Sequence, residues 1–245
     1  MWTNQQIENH KKAAKLLIKI KDLTFKHIKT NKNISEYEIQ QFILKKFIEY
    51  DLETDKYPPI VSFNSNTAIP EHYPEEGGKL LKENMLIMID IWAKLKIKEA
   101  PFADITWIAH SGNEISEDIK DVFDVVRVAR DSAIEHIKNQ LSNEKIPTGK
   151  EIDTIVINII AKSGYAEHIR HETGHSLGIE DDHGEKPNWL YCGNDAALKK
   201  KCGYTIEPGI YLKDKFGIRS EIDFYISGDN KLIITTNLQK EITVV

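Results

Sequence analysis

Four acids stand inside runs that are otherwise apolar. Asp90 interrupts Met-Leu-Ile-Met-Ile-Asp-Ile-Trp in a stretch from residue 85 to 112 that also holds Asp104, and Glu207 and Glu221 lie in a second stretch, 204 to 228. Each stretch has an apolar run, a turn-prone middle and a second apolar run, the pattern of two antiparallel strands. In both, the two acids are 14 residues apart. Burying an unpaired carboxylate costs on the order of several kcal/mol of lost hydration. Arg219 can neutralise one of these acids but not four. A pair of divalent ions bridged by carboxylates offsets the whole cost, because hard cations take oxygen ligands and hold clustered acids together. One acid alone would read as a solvated strand edge or a lysine partner. Four, in two matched hairpins, point to metal.

The segment before the second hairpin, HIRHETGHSLGIEDDHGEKPN (168 to 188), carries His168, His171, His175 and His183. Imidazole is the commonest metal ligand and a proton carrier near pH 7. Gly174 and Gly178 bracket His175 and permit close backbone approach. His171-Glu172-Thr173-Gly174-His175 matches the His-Glu-x-x-His string of zincins. That reading is rejected, since Thr-Gly is poor chemistry for a ligand helix and the four strand acids would go unexplained. His72 lies in a polar loop between Glu71 and Tyr73. Most loop histidines are simply solvated, but its place ahead of the first hairpin makes it a candidate for reaching over the metal site.

These residues need elements to position them. A broken apolar stripe predicts a helix over 4 to 29. Ser35 with Glu38 forms a capping box for a second helix, with Ile39, Phe42, Ile43, Phe47 and Ile48 on its inner face. A short strand follows at 60 to 63. A long helix starts at Ser116 or Asp118 and runs to about Gln140. Thr148 with Glu151 opens another, closed by Gly164. The order is helix–helix–strand–hairpin, then helix–helix–loop–hairpin. It predicts an α+β fold made by internal duplication, with pseudo-two-fold symmetry and one composite site between the halves, as a single domain over residues 1–245.

At 245 residues the chain can bury a full core, and 40% hydrophobic with 29% charged residues is ordinary for a globular protein. A net charge of −5 argues against nucleic acid as the main partner. No stretch approaches a membrane span, and neither an apolar leader nor a lipidation box is visible, so no membrane partner is expected. Cys192 and Cys202 make no disulfide framework. A cytoplasmic protein is expected.

The strings MIDIWAK, ADITW, HETGHSLG, TIEPGIYL and FGIRSEID resemble the pita-bread metallopeptidases: methionine aminopeptidases, Xaa-Pro aminopeptidases and prolidases. The resemblance runs from about residue 5 to 240 and is strongest to the Xaa-Pro branch. It implies metal ligands at Asp90, Asp104, His175, Glu207 and Glu221. Asp104 and Glu221 would bridge two ions, Asp90 would chelate one, and His175 and Glu207 would bind the other. Mn²⁺ or Co²⁺ suits such a mixed oxygen and nitrogen site, with Zn²⁺ or Fe²⁺ as alternatives. By the same resemblance Glu207 takes and returns the proton, His72 and His171 hold the substrate backbone or the oxyanion, and Arg219 orients Glu221 or substrate. The chain departs from the family in two places here. The second catalytic His usually falls seven residues after the ligand His; Asp182 stands there and His183 is one further, so a one-residue insertion in the loop would restore His183 to that catalytic role. Glu172 replaces an arginine. The implied function is a dinuclear exopeptidase acting on peptides, with cleavage before proline, as a monomer or homodimer. Methionine aminopeptidase-type specificity and a non-catalytic peptide-binding module are the alternatives.

Overall fold

The computed structural model describes residues 1–245, apart from the side chain of Pro187. Helices α1 (Asn4–Thr30) and α2 (Glu36–Glu49) lead into β1 (Leu52–Glu53), β2 (Ile60–Phe63), β3 (Leu86–Leu95) and β4 (Ala103–His110). Helices α3 (Glu117–Ser142) and α4 (Gly149–Lys162) then lead into β5 (Gly203–Ile206), β6 (Gly209–Leu212), β7 (Phe216–Arg219) and β8 (Ile222–Ile226). Strands β9 (Leu232–Ile234) and β10 (Thr243–Val244) close the chain. Both expected capping boxes form, at Ser35 and Thr148, and a third at Thr3 with Gln6. Gly164 follows the last turn of α4 with φ +88, the left-handed step that ends many helices.

The apolar runs are buried on both faces, and strand alternation sorts their side chains. In β3 and β4 the odd-numbered Ile87, Ile89, Ile91, Ile105 and Trp107 pack with α1 and α2. The even-numbered Leu86, Met88 and Ile108 instead join the core of the other half. Asp90, Asp104 and Thr106 belong to this even face. In the second half the even-numbered Tyr204, Ile206, Ile218, Ile222 and Phe224 pack with α3 and α4, so the odd-numbered residues turn toward the first half. The two hairpins therefore face each other across the acids, each covered behind by its own pair of helices.

Several details differ from the expectation. Ile48 is exposed rather than on the inner face of α2, and Phe42 is half-buried, stacked on His27 at 4.1 Å between ring centroids. The second hairpin is broken into two ladders, β5 with β8 and β6 with β7, at Glu207-Pro208 and Ser220-Glu221. Proline has no N–H for a ladder bond, yet the register runs through the break, with Ile206 opposite Ile222 and Gly209 opposite Arg219. The segment read as a plain loop contains an extended run: Thr205 N–H donates to His175 O (2.9 Å), Leu177 N–H to Gly203 O (2.9 Å) and Glu207 N–H to Thr173 O (2.8 Å). This run lies antiparallel to β5 as β2 lies antiparallel to β3, which completes the repeat. The parallel pairing of β10 with β4 was not anticipated. Among the described residues, no helix is long and apolar enough to cross a membrane.

Candidate metal centre

Asp90 and Asp104 are neighbours because β3 and β4 pair with Asp90 opposite Thr106 and Trp92 opposite Asp104. The two acids are thus diagonal on one face. Glu207 and Glu221 flank the break in the second hairpin, on the odd face that also carries Thr205, Tyr211, Arg219 and Asp223. His175 comes from the extended run, fixed by its N–H bond to Thr205 Oγ1 (3.0 Å). Gly174 next to it must be glycine, since a Cβ there would stand 2.3 Å from Thr205 O. The approach that brings His175 against β5 leaves no room for a side chain.

Asp90, Asp104, His175, Glu207 and Arg219 line a cavity of about 310 Å³. His175 Nε2 lies 3.2 Å from Glu207 Oε1, 3.6 Å from Asp182 Oδ2 and 3.9 Å from Asp104 Oδ2. Its Nδ1 is 3.2 Å from Ser176 O, so the proton on Nδ1 donates to that carbonyl and Nε2 is turned toward the acids. Donor atoms of Asp104, His175 and Glu221 all lie within 4.8 Å of one another. Glu221 Oε2 accepts from Thr106 Oγ1 (2.8 Å) and Glu207 Oε1 from Thr205 Oγ1 (2.9 Å). Asp223, which the sequence reading passed over, accepts the N–H of Asp104 on Oδ2 (2.9 Å).

The charges do not balance. Asp90, Asp104, Asp182, Glu207, Glu221 and Asp223 gather here, and Arg219 is the one permanently charged cation among them; it donates to Asp90, to Thr106 Oγ1 (2.9 Å) and to Tyr211 Oη (3.2 Å). Asp104, Asp182, Glu221 and Asp223 each keep one buried oxygen without a hydrogen-bond donor. Burial, then the charges of its acidic neighbours, push the carboxyls of Asp104 and Glu221 well above the usual range. Burial also lifts Asp182, to about 7. Burial alone would lower His175, but the Glu207 hydrogen bond and the Asp182 charge outweigh it and raise the imidazole to about 9. Glu207 is held low despite its burial, by His175 first. Orphaned oxygens, excess negative charge and an imidazole nitrogen turned toward them are what divalent cations require, so the residues fit the metal pair that the resemblance implies.

The other predicted residues fall into two groups. His171 lines the cavity; its Nδ1–H donates to Glu172 O (2.8 Å) and its Nε2 accepts from Tyr211 Oη–H (2.7 Å), and burial lowers its pKa. His183 stands over His175 with ring centroids 4.1 Å apart and faces solvent. His72 turns away from the cavity: its Nε2 is 3.1 Å from Glu36 Oε2, where it helps anchor the loop to α2, while its neighbours Glu71 and Tyr73 line the opening. His168 likewise lies outside, against Tyr165. The His-Glu-x-x-His string is not helical, so the rejection of a zincin site stands. Thr106, Thr205, Tyr211 and Asp223 were missed, although each shares a strand face with a predicted ligand or cation.

An uncharacterized peptidase of Staphylococcus aureus (strain MRSA252) is 28% identical over 233 residues, covering 95% of this chain and 62% of that protein. Among solved structures, a prolidase from Thermococcus sibiricus superposes with a TM-score of 0.87 at 30% identity, over 100% of this chain and 62% of that one. An X-Pro aminopeptidase from Thermotoga maritima gives 0.87 at 28% identity, over 100% and 64%. The chain thus spans less than two thirds of the length of these relatives. The model of metallopeptidase family M24 matches residues 8–228, and the chain belongs to that family, with its pita-bread fold.

Proposed function

We propose that this chain is the catalytic domain, over residues 1–245, of a dinuclear metal-dependent exopeptidase that cleaves the N-terminal peptide bond before proline, of aminopeptidase P or prolidase type. The observation that carries this reading is the set of buried carboxylate oxygens without donors around His175. The prolidase and X-Pro aminopeptidase neighbours support the substrate class. Divalent ions held by Asp90, Asp104, His175, Glu207 and Glu221, with Mn²⁺ or Co²⁺ as first choice, would polarise a peptide carbonyl and lower the pKa of water. Glu207, kept ionised beside His175, is placed to accept a proton and return it to the leaving amine. Thr205 Oγ1 fixes the carboxylate for that transfer. His171 and His183 border the same space; His183 can donate to a substrate carbonyl, and His171 can do so in the tautomer that carries its proton on Nε2 in place of the Tyr211 bond. Ile60, Tyr73 and Trp92 form an apolar wall that suits a proline ring. The two cysteines are free and the substrate is a soluble peptide, which fits a cytoplasmic monomer or homodimer.

A peptide panel tests the reading. Xaa-Pro dipeptides and longer Xaa-Pro peptides should be cleaved, with activity lost in chelator and restored by Mn²⁺ or Co²⁺. Cleavage of Met-Ala peptides and not Xaa-Pro would instead assign methionine aminopeptidase-type specificity. Tight peptide binding with no turnover under any metal would mark a binding module.

A further inference from the structure

Seven residues after the ligand His175 stands Asp182, which the five-ligand scheme leaves unused. It is 2% exposed, and its Oδ1 meets no donor. Its Oδ2 lies 3.6 Å from His175 Nε2 and 3.9 Å from His183 Nδ1. Donor atoms of His175, Asp182 and His183 all fall within 4.8 Å of one another. Ligands at about 2.1 Å from one ion stand roughly 3–4 Å apart, so small side-chain adjustments suffice for all three to share a cation. The loop is built to deliver this side chain. Gly178 N–H donates to Asp182 O (2.8 Å), Leu177 pairs with His183, and a Cβ on Gly178 would meet Asp181 O at 2.1 Å. That tight turn directs Asp182 inward and leaves Asp181 and His183 exposed.

We propose that Asp182 is a further metal ligand, binding the ion held by His175 and Glu207, with His183 as an outer imidazole on the same ion. The inference rests on the metal reading above. A carboxylate in this place adds a negative, oxygen-donating ligand and makes the His175 site tighter and harder than its four ligands in the five-residue scheme would.

The test titrates Mn²⁺ into the chelator-stripped full chain by calorimetry and records the visible absorption of the Co²⁺ form, for the wild type, Asp182→Asn and Asp182→Glu. The wild type should take up two ions. Asp182→Asn should weaken one of them by about 10-fold or more and alter the Co²⁺ spectrum, while Asp182→Glu, which keeps a carboxylate, stays closer to wild type on both readouts. Two ions bound by Asp182→Asn with wild-type affinity and spectrum would overturn the assignment and leave the metal reading intact. A wild type that binds no ion would overturn both. If Asp182→Asn does not fold, Asp182→Ser, which removes the carboxylate with little change in bulk, decides: two ions bound with wild-type affinity and an unchanged Co²⁺ spectrum rule out direct ligation.

Discussion

Replacing Asp104 by Asn should make the metal-free protein more stable while removing what metal does for it. Asp104 is 5% exposed and its Oδ1 has no donor. Burial, and then the charges of Glu221, Asp182, Asp90 and Asp223, hold its carboxyl well above the ordinary range. At pH 8 the metal-free site must therefore keep protons that the unfolded chain has lost, or bury excess charge. Each unit of pKa displacement corresponds to about 1.4 kcal/mol. An amide of the same shape carries no charge and can donate toward Asp182, and relief of about 1–3 kcal/mol is expected. At about 2–4 °C per kcal/mol for a chain of this size, Tm in chelator should rise by roughly 2–12 °C. Wild-type protein in Mn²⁺ at 100 times Kd should gain about 2.7 kcal/mol per site, and Asp104→Asn far less, since the proposed bridging ligand is gone. The two melting curves should exchange order when Mn²⁺ replaces EDTA, which scanning calorimetry reads directly. A variant that melts below wild type in EDTA, or that gains as much from Mn²⁺, would refute the claim that uncompensated negative charge dominates the empty site's energetics.

Other outcomes follow from the same geometry. Metal-free protein should lose stability as pH rises from about 4 to 9, because a group whose pKa is higher when folded stabilises fully below its unfolded value and ceases to as pH passes the folded one; Asp182, raised from 3.8 to about 7, sets the lower part of this window and His175, raised from 6.5 to about 9, the upper part. His10, lowered to about 4 by burial, acts oppositely but only below about pH 6.5, and saturating Mn²⁺ should flatten the decline in a pH series of thermal melts. Arg219→Met leaves Asp90 buried and unpaired and should cost about 3–5 kcal/mol in urea unfolding of the metal-free chain. Gly174→Ala should push the run carrying His175 away from Thr205 and weaken metal affinity by about 10-fold or more in calorimetric titration.

What the sequence disclosed was local. Capping boxes at Ser35 and Thr148 marked helix starts because Ser or Thr and the acid three residues on satisfy each other's backbone donors within one turn. The ligand acids stood out because a charge inside an apolar strand run is costly wherever the strand lies. Asp223, Thr205 and Thr106 were within reach of the same logic: each is two residues from a predicted ligand, and period-2 alternation puts it on the same face. What escaped depends on distant partners. His72 is turned aside by Glu36, 36 residues earlier. The run carrying His175 is extended only because β5 offers it an edge. Asp182 rather than His183 is the buried side chain of its loop because of a turn that residue types alone do not reveal. Ile48 matched the inner face of α2 by spacing, but it sits in the last turn, beyond the edge of the sheet-facing core.

The most direct test of the central claim is a count of divalent ions per chain, by equilibrium dialysis of the chelator-stripped protein against Mn²⁺ or Co²⁺ with elemental analysis. Two ions per chain are expected, falling when Asp104 or Glu221 is replaced. A chain that stays folded and retains no ion at millimolar Mn²⁺, Co²⁺, Zn²⁺ or Fe²⁺ would contradict it.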